Sequence, residues 1–465
     1  MSDPNVARLQ AWLVEHETEL LDTYRELLRF PSIESDAEPG APFGKENRAA
    51  LDFMLSLGSK WGMTTKNLEG YAGYAEFGSG ERLVMSLGHL DVVPVGPGWK
   101  HGPFDADIDE GYVYARGAVD DKGPTIASFF AARAIKECFP EVPARIRSVF
   151  GCDEESGFKC IERYVQTEEA PTFGIAPDSG WPLYHAEKGI ANFVVEVEPV
   201  EGEMALLEIN GGQRPNIVID SCQARIRVAA SARKHVDEKL ADSWDRNLEF
   251  AWEGDVLSIK AIGKAAHGSE PFGGDSAAIR IFRFLKEISP ISTGKVYDDL
   301  FETCHIGGGG LGISGADDVS KGLTCNVGIV TSDKGRIQMT FNVRYPVTWK
   351  GNDVRDRVLQ ALTEKPYACA LADFNDSPPL YFPLDHPLVK AICEVYAEES
   401  GENPKPGVMG GGTYARAVPN TVSIGTGWEG DGHAHETDER LKIDHLYKMS
   451  RIYAHILYRL ATMSV

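Results

Sequence analysis

Apolar side chains at Val6, Leu9, Leu13, Leu20, Tyr24, Leu27 and Leu28 recur at helical spacing, which predicts helix over about 5–29, closed by Phe30-Pro31. A second helix is expected from about Lys45 to Trp61. The period then shortens, so that Ala72 to Phe77 and Leu83 to Leu87 read as strands separated by Gly78-Ser-Gly80. A strand from Ala144 to Cys152 follows an Ala-rich helix, about Thr125 to Cys138, and another strand covers Phe173 to Ala176. From about Ile190 to Phe382 the texture changes to alternating strand patterns such as Asn192 to Val197, Val256 to Gly263 and Arg336 to Arg344, with helices near 275–286 and 353–362. The first texture resumes with a helix at about Pro387 to Glu399, a short strand at Val422 to Ile424 and an amphipathic helix at about Asp444 to Leu460. The pattern predicts an α/β domain split over residues 1–189 and 383–465, with an α+β domain inserted at 190–382.

A length of 465 residues agrees with two domains. The balance of 47 basic against 69 acidic side chains, a formal charge of −22, repels phosphate backbones and anionic lipid, so neither nucleic acid nor a membrane is an expected partner. The eight cysteines contain no C-x-x-C pair and suit reduced thiols. The N-terminus shows no basic segment ahead of an apolar core, and no uncharged apolar run approaches the length of a membrane span. The expected location is the cytoplasm.

The chemistry sits where strands end. His89 and Asp91 close one apolar run, and side chains two apart in an extended chain project together. A carboxylate so placed can hold the second nitrogen of a metal-bound imidazole. Asp120 and Asp121 lie at a strand-to-helix turn, Asp153-Glu154-Glu155 ends another strand, and Asp178 follows a fourth. Adjacent acids in such places need a balancing cation. Carboxylates together with histidines suit Zn²⁺, Mn²⁺ or Co²⁺. More than four candidate ligands point to two ions, about 3.5–4 Å apart, bridged by one carboxylate and sharing a hydroxide. A free carboxylate beside that water can act as general base and later protonate a leaving amine, and Glu154 and Glu155 supply one for each task.

Ser86-Leu-Gly-His-Leu-Asp91, Gly117-Ala-Val-Asp-Asp-Lys-Gly123, Asp153-Glu-Glu-Ser-Gly157, Pro177-Asp-Ser and Ala434-His435 resemble, in order and spacing, the co-catalytic zinc exopeptidases that include glutamate carboxypeptidase, aminoacylase and carnosinase. Trp181-Pro-Leu-Tyr-His-Ala-Glu-Lys-Gly189 and Gly410-Gly-Gly-Thr-Tyr-Ala-Arg416 look most like the PepV-type bacterial dipeptidases. The resemblance implies a mixed-sheet catalytic domain with an inserted lid domain. It also implies two divalent ions, Zn²⁺ first and Mn²⁺ or Co²⁺ as alternatives. By that likeness Asp120 bridges the ions, His89 and Asp178 complete one site, and Glu155 and His435 complete the other. Glu154 is then the base and Asp91 orients His89, while the Asp120–Asp121 peptide bond is cis. In the lid, His267 is similar to the family's oxyanion-stabilising histidine. Asn216, Arg344 and the turn Gly411-Gly412-Thr413 resemble the groups that hold the substrate's free carboxylate. His433 competes with His435 as a ligand, but the following Glu-Thr-Asp-Glu fits the family pattern only from His435. The implied activity is metal-dependent hydrolysis of unblocked dipeptides by a monomer. The alternatives are an amidohydrolase of N-acyl amino acids and a metal-binding protein without catalysis.

Overall fold

The computed structural model describes residues 3–403 and 405–464. The chain divides into two compact units, the first made of Met1–His185, Phe382–Gly407 and Gly412–Val465, the second of Ala186–Tyr381 and Val408–Gly411. Against the insertion expected at 190–382, the second unit takes Ala186–Tyr381, which starts inside the strand Leu183–Glu187, and adds Val408–Gly411 from the stretch expected in the first. The short segment Val408–Gly411 joins the second unit through main-chain contacts. Lys188 N donates to the Met409 carbonyl at 3.0 Å, and Arg344 Nη1 donates to the Gly410 carbonyl at 2.9 Å.

In the first unit the centre of the sheet is parallel. Arg145–Gly151, Leu83–His89, Phe173–Ser179 and Thr421–Gly425 lie side by side in that order and run the same way. Antiparallel strands flank them, with Ala72–Gly78 and Thr64–Leu68 on one side and Leu183–Glu187 on the other. Leu83–His89 is buried at every position, as a strand covered on both faces should be. The helix Lys122–Cys138 is apolar nearly all round and buried along most of its length. Its Phe129 ring lies 4.6 Å from Trp61 and 5.0 Å from Phe150, which joins helix to sheet. The parallel strands align their carboxyl ends, so four loops open on one edge, the position where open α/β sheets carry ligands.

The N-terminal stripe forms two helices rather than one, Pro4–Glu15 and Glu17–Leu28. His16 leaves helical geometry at the joint, its Nδ1 within 2.7 Å of the Trp12 carbonyl and its ring stacked on Trp12 at 3.7 Å.

The second unit holds an eight-stranded sheet of antiparallel pairs, in the order Leu248–Glu253, Val256–Ile262, Ser221–Val228, Met204–Gly211, Thr324–Asp333, Arg336–Tyr345, Gly189–Val197 and Cys369–Ser377. Burial alternates along Gly189–Val197, so one face meets a core and the other does not. Ala277–Ile288 supplies Ile281, Phe282 and Leu285 to that core.

Phe129→Ala removes a wholly buried ring from between helix and sheet. It is expected to cost about 3–5 kcal/mol, read as a lower urea midpoint by tryptophan fluorescence.

Candidate metal centre

Of the groups expected at the strand ends, His89, Asp120, Glu154, Glu155, Asp178 and His435 reach one place in the first unit. His89 ends its strand, Asp178 lies near the end of the neighbouring strand, and Glu154 and Glu155 sit in the turn after Arg145–Gly151. Asp120 precedes the helix Lys122–Cys138, and His435 lies in the loop between Thr421–Gly425 and the last helix. Ligand atoms of His89, Glu154 and Asp178 fall within 4.8 Å of one another, as do those of His89, Asp120 and Glu155. Asp120 stands between the two imidazoles, with one oxygen 3.0 Å from His89 Nε2 and the other 3.1 Å from His435 Nε2. His435 Nε2 also lies 3.0 Å from Glu155 Oε1. His433 instead lines a surface pocket with Trp428 and Asp431.

Burial and close pairing of charges shift the titrating groups of the cluster. Burial alone would lower the pKa of His89, yet its hydrogen bonds to Asp120 and Asp91 raise it well above the ordinary value. Hydrogen bonds to Asp120 and Glu155 push His435 up to about 10 against its burial. Burial pulls Asp120 up, but the two imidazoles hold it below the usual carboxylate range. Glu154 is raised well above its ordinary value, first by burial and then by the charge of Asp178. Imidazole and carboxylate donors in this number fit a divalent ion of the zinc type.

The support around the cluster is fixed by main-chain hydrogen bonds. His89 Nδ1 meets the Asp91 carbonyl at 2.9 Å, while the Asp91 carboxylate stands 3.6 Å from that nitrogen and accepts Glu155 N–H at 3.0 Å. Asp91 thus orients the imidazole through its backbone and ties it to Glu155 through its side chain. The Asp120–Asp121 bond is cis. Asp121 accepts from His89 N at 3.1 Å and from Thr125 Oγ1 at 2.9 Å. A Cβ at Gly88 would stand 2.0 Å from Thr125 Oγ1 and 2.8 Å from Asp121 Oδ2, so glycine is required for this approach.

Two supporting residues carry little signal in the sequence. The buried carboxylate of Glu439 accepts from Arg116 Nη1 at 2.6 Å, Val119 N at 2.8 Å, Gly117 N at 3.1 Å and Asp120 N at 3.2 Å. Four residues after His435, it ties the loop of one candidate ligand to the segment of another. Its only mark in the sequence is its place in Glu436-Thr-Asp-Glu439. Tyr414 meets His89 edge-on at 6.1 Å and shares a 2.7 Å hydrogen bond with Cys160 Sγ.

The remaining predicted residues divide between the units. Gly412 and Thr413 belong to the first, where the Thr413 hydroxyl accepts from Ala415 N at 3.2 Å. Asn216, His267, Arg344 and Gly411 belong to the second. Asn216 accepts Gly268 N–H on its main-chain carbonyl at 2.7 Å, and Arg344 Nε donates to Asn342 Oδ1 at 3.0 Å. Burial, and then the charge of Arg344, lowers the pKa of His267. Its ring is therefore neutral at pH 7. His267 Nδ1 lies 2.6 Å from the Ser269 hydroxyl and 3.3 Å from the Ser269 main-chain N–H.

Glu439→Gln keeps the shape of the side chain but leaves Arg116 without its buried counter-charge. A loss of about 3–5 kcal/mol is expected in equilibrium unfolding. An unchanged unfolding midpoint would show that the Glu439 contacts carry little.

Comparison with known proteins fits this geometry. Residues 85–459 match the family described as peptidase family M20/M25/M40. The "putative dipeptidase YtjP" of Bacillus subtilis is 36% identical over 463 residues, covering 97% of this chain and 98% of that protein. Among solved structures, the di-peptidase Dug1p of Saccharomyces cerevisiae is 14% identical at a TM-score of 0.57, with 100% of both chains covered. The YXEP protein of Bacillus subtilis, described as a dinuclear metal binding peptidase, is 12% identical at a TM-score of 0.50, covering 96% of this chain and 98% of that one. These two likenesses are of fold. With the matched segment running from the His89 strand into the last helix, the chain belongs to the M20/M25/M40 family of peptidases.

Proposed function

We propose that this peptidase is a dipeptidase dependent on two divalent ions, which cleaves unblocked dipeptides with a single chain as the working unit. The carrying observation is the convergence of His89, Asp120, Glu154, Glu155, Asp178 and His435 within one unit. The name of YtjP supports the substrate class, and the description of YXEP as dinuclear supports a pair of ions. In this reading His89 and Asp178 would hold one ion, Glu155 and His435 would hold the other, and Asp120 would serve both. Zn²⁺ is the first candidate, with Mn²⁺ and Co²⁺ as alternatives. When bound, such ions supply Lewis-acid stabilisation of the charge that develops on the peptide oxygen.

The chain's own groups do the rest. Glu154 takes a proton from the attacking water and returns it to the leaving nitrogen. His267, its pKa lowered by burial, donates from its neutral ring to the developing oxyanion. Arg344, Asn216 and the turn Gly411-Gly412-Thr413 hold the substrate's carboxylate.

Glu154→Gln is expected to lower kcat about 10²–10⁴-fold while metal content stays the same. The assay is release of two ninhydrin-positive products from a dipeptide, with metal counted by elemental analysis. Activity within tenfold of wild type would remove Glu154 from the role of base.

Metal uptake should release protons. Hydrogen bonds to Asp120 and Glu155 push His435 up to about 10, so at pH 7 it carries a proton that it must lose to ligate. Affinity should therefore rise with pH from 6 to 9. Calorimetry in buffers of different ionisation enthalpy is expected to show proton release, and a heat independent of buffer would contradict it.

A further inference from the structure

We infer that the second unit carries the pocket for the side chain of the substrate's C-terminal residue, and that this pocket selects bulky apolar side chains. The inference rests on the dipeptidase reading above.

A cavity of about 590 Å³ opens within this unit. Pockets for small molecules span roughly 300–1,000 Å³. Its rim includes Gly410, whose carbonyl accepts from Arg344 Nη1 at 2.9 Å, and Ser269, whose hydroxyl lies 2.6 Å from His267 Nδ1. The cavity therefore starts at the neighbours of the two groups assigned to the substrate's carboxylate and oxyanion. A residue whose carboxylate reached Arg344 would find this space beside its Cα.

The walls decide the chemistry. Phe272 is 70% exposed, Val408 38% and Ile306 36%, and all three line the cavity together with Met409 and Leu323. Three large apolar side chains left in water around one concave site form the kind of patch that marks a ligand groove. Phe272 is carried on the single turn Pro271–Gly273, which closes on itself through Gly274 N to the Pro271 carbonyl at 3.1 Å. The two lysines of the lining turn their charges to the backbone, Lys188 Nζ donating to the Gly322 carbonyl and Lys321 Nζ to the Asp318 carbonyl at 2.8 Å. Each ammonium keeps its charge but has a main-chain acceptor, and the alkyl stems add to the apolar walls. Glu270, the acid of this lining, offsets part of that positive charge. An aromatic or long aliphatic residue fits these walls better than an acidic one.

The test uses the full chain loaded with Zn²⁺ and the dipeptides Ala-Phe, Ala-Leu, Ala-Glu and Ala-Gly. Wild type is expected to favour Ala-Phe and Ala-Leu over Ala-Gly by tenfold or more in kcat/KM. Val408→Trp, which fills the cavity from a partly exposed position, should bring that ratio to within threefold. Phe272→Ala, at a position already mostly in water, should lower it several-fold. A ratio untouched by both variants, or a wild-type preference for Ala-Glu, would overturn the inference. Calorimetric binding of Ala-Phe and Ala-Gly to Glu154→Gln, with and without Val408→Trp, separates the pocket from the reaction. If wild type cleaves no dipeptide, the dipeptidase reading fails. Tighter binding of Ala-Phe that Val408→Trp abolishes would still support the pocket, and equal binding of both peptides would reject it.

Discussion

Carboxylates crowded at one edge of a sheet repel one another, and the first unit is built to withstand that repulsion. Two like unit charges 4 Å apart repel by about 4 kcal/mol at an effective dielectric of 20, a large share of what holds a domain together. Asp120, Glu154, Glu155 and Asp178 converge, and Asp121 is wholly buried beside them. The imidazoles of His89 and His435 stand against Asp120 and Glu155, and fixed donors hold the neighbouring acids. Glu439 collects three main-chain N–H groups and a guanidinium, Asp91 takes the N–H of Glu155, and Asp121 takes the N–H of His89. Lys122 is wholly buried and donates to the Phe30 carbonyl at 2.6 Å, with burial lowering its pKa to about 7 against the pull of Glu439 and Asp91. These braces are intramolecular, so the candidate ligands are held by the fold's own hydrogen bonds.

Most of the candidate centre was legible because parallel strands put their carboxyl ends on one edge. An acid or histidine at the end of an apolar run is visible in a sequence, and the family likeness joined the runs. Glu439 was harder to see. Its partners are main-chain groups of a distant loop, and main-chain groups leave no mark in composition or spacing. Asp91 shows the same limit, since the residue was evident while the division of labour between its carbonyl and its carboxylate depends on the local turn.

The fold shows a similar division. Helices with strong apolar stripes, such as Ala277–Ile288 and Ile443–Thr462, were legible to within a few residues. Ile291–Thr303 was not, because β-branched residues and Gly294 weaken its helical signal and packing has to make up the difference. The break at His16 was hidden for a related reason. The apolar stripe runs on through it, and the stacking on Trp12 that accompanies the bend is not a pattern of hydrophobicity.

The four residues Val408–Gly411 have a consequence for how such chains can be recombined. Both flanking stretches belong to the first unit, yet the segment itself is held by Lys188 and Arg344 of the second. Cutting at 185 and 381 and closing the gap would leave behind a loop shaped for partners that are gone. Replacing only the long insertion by that of a relative would bring in a new Lys188 and Arg344 environment against an unmatched loop. A working chimaera has to exchange both pieces together, so the inserted unit is not a self-contained cassette.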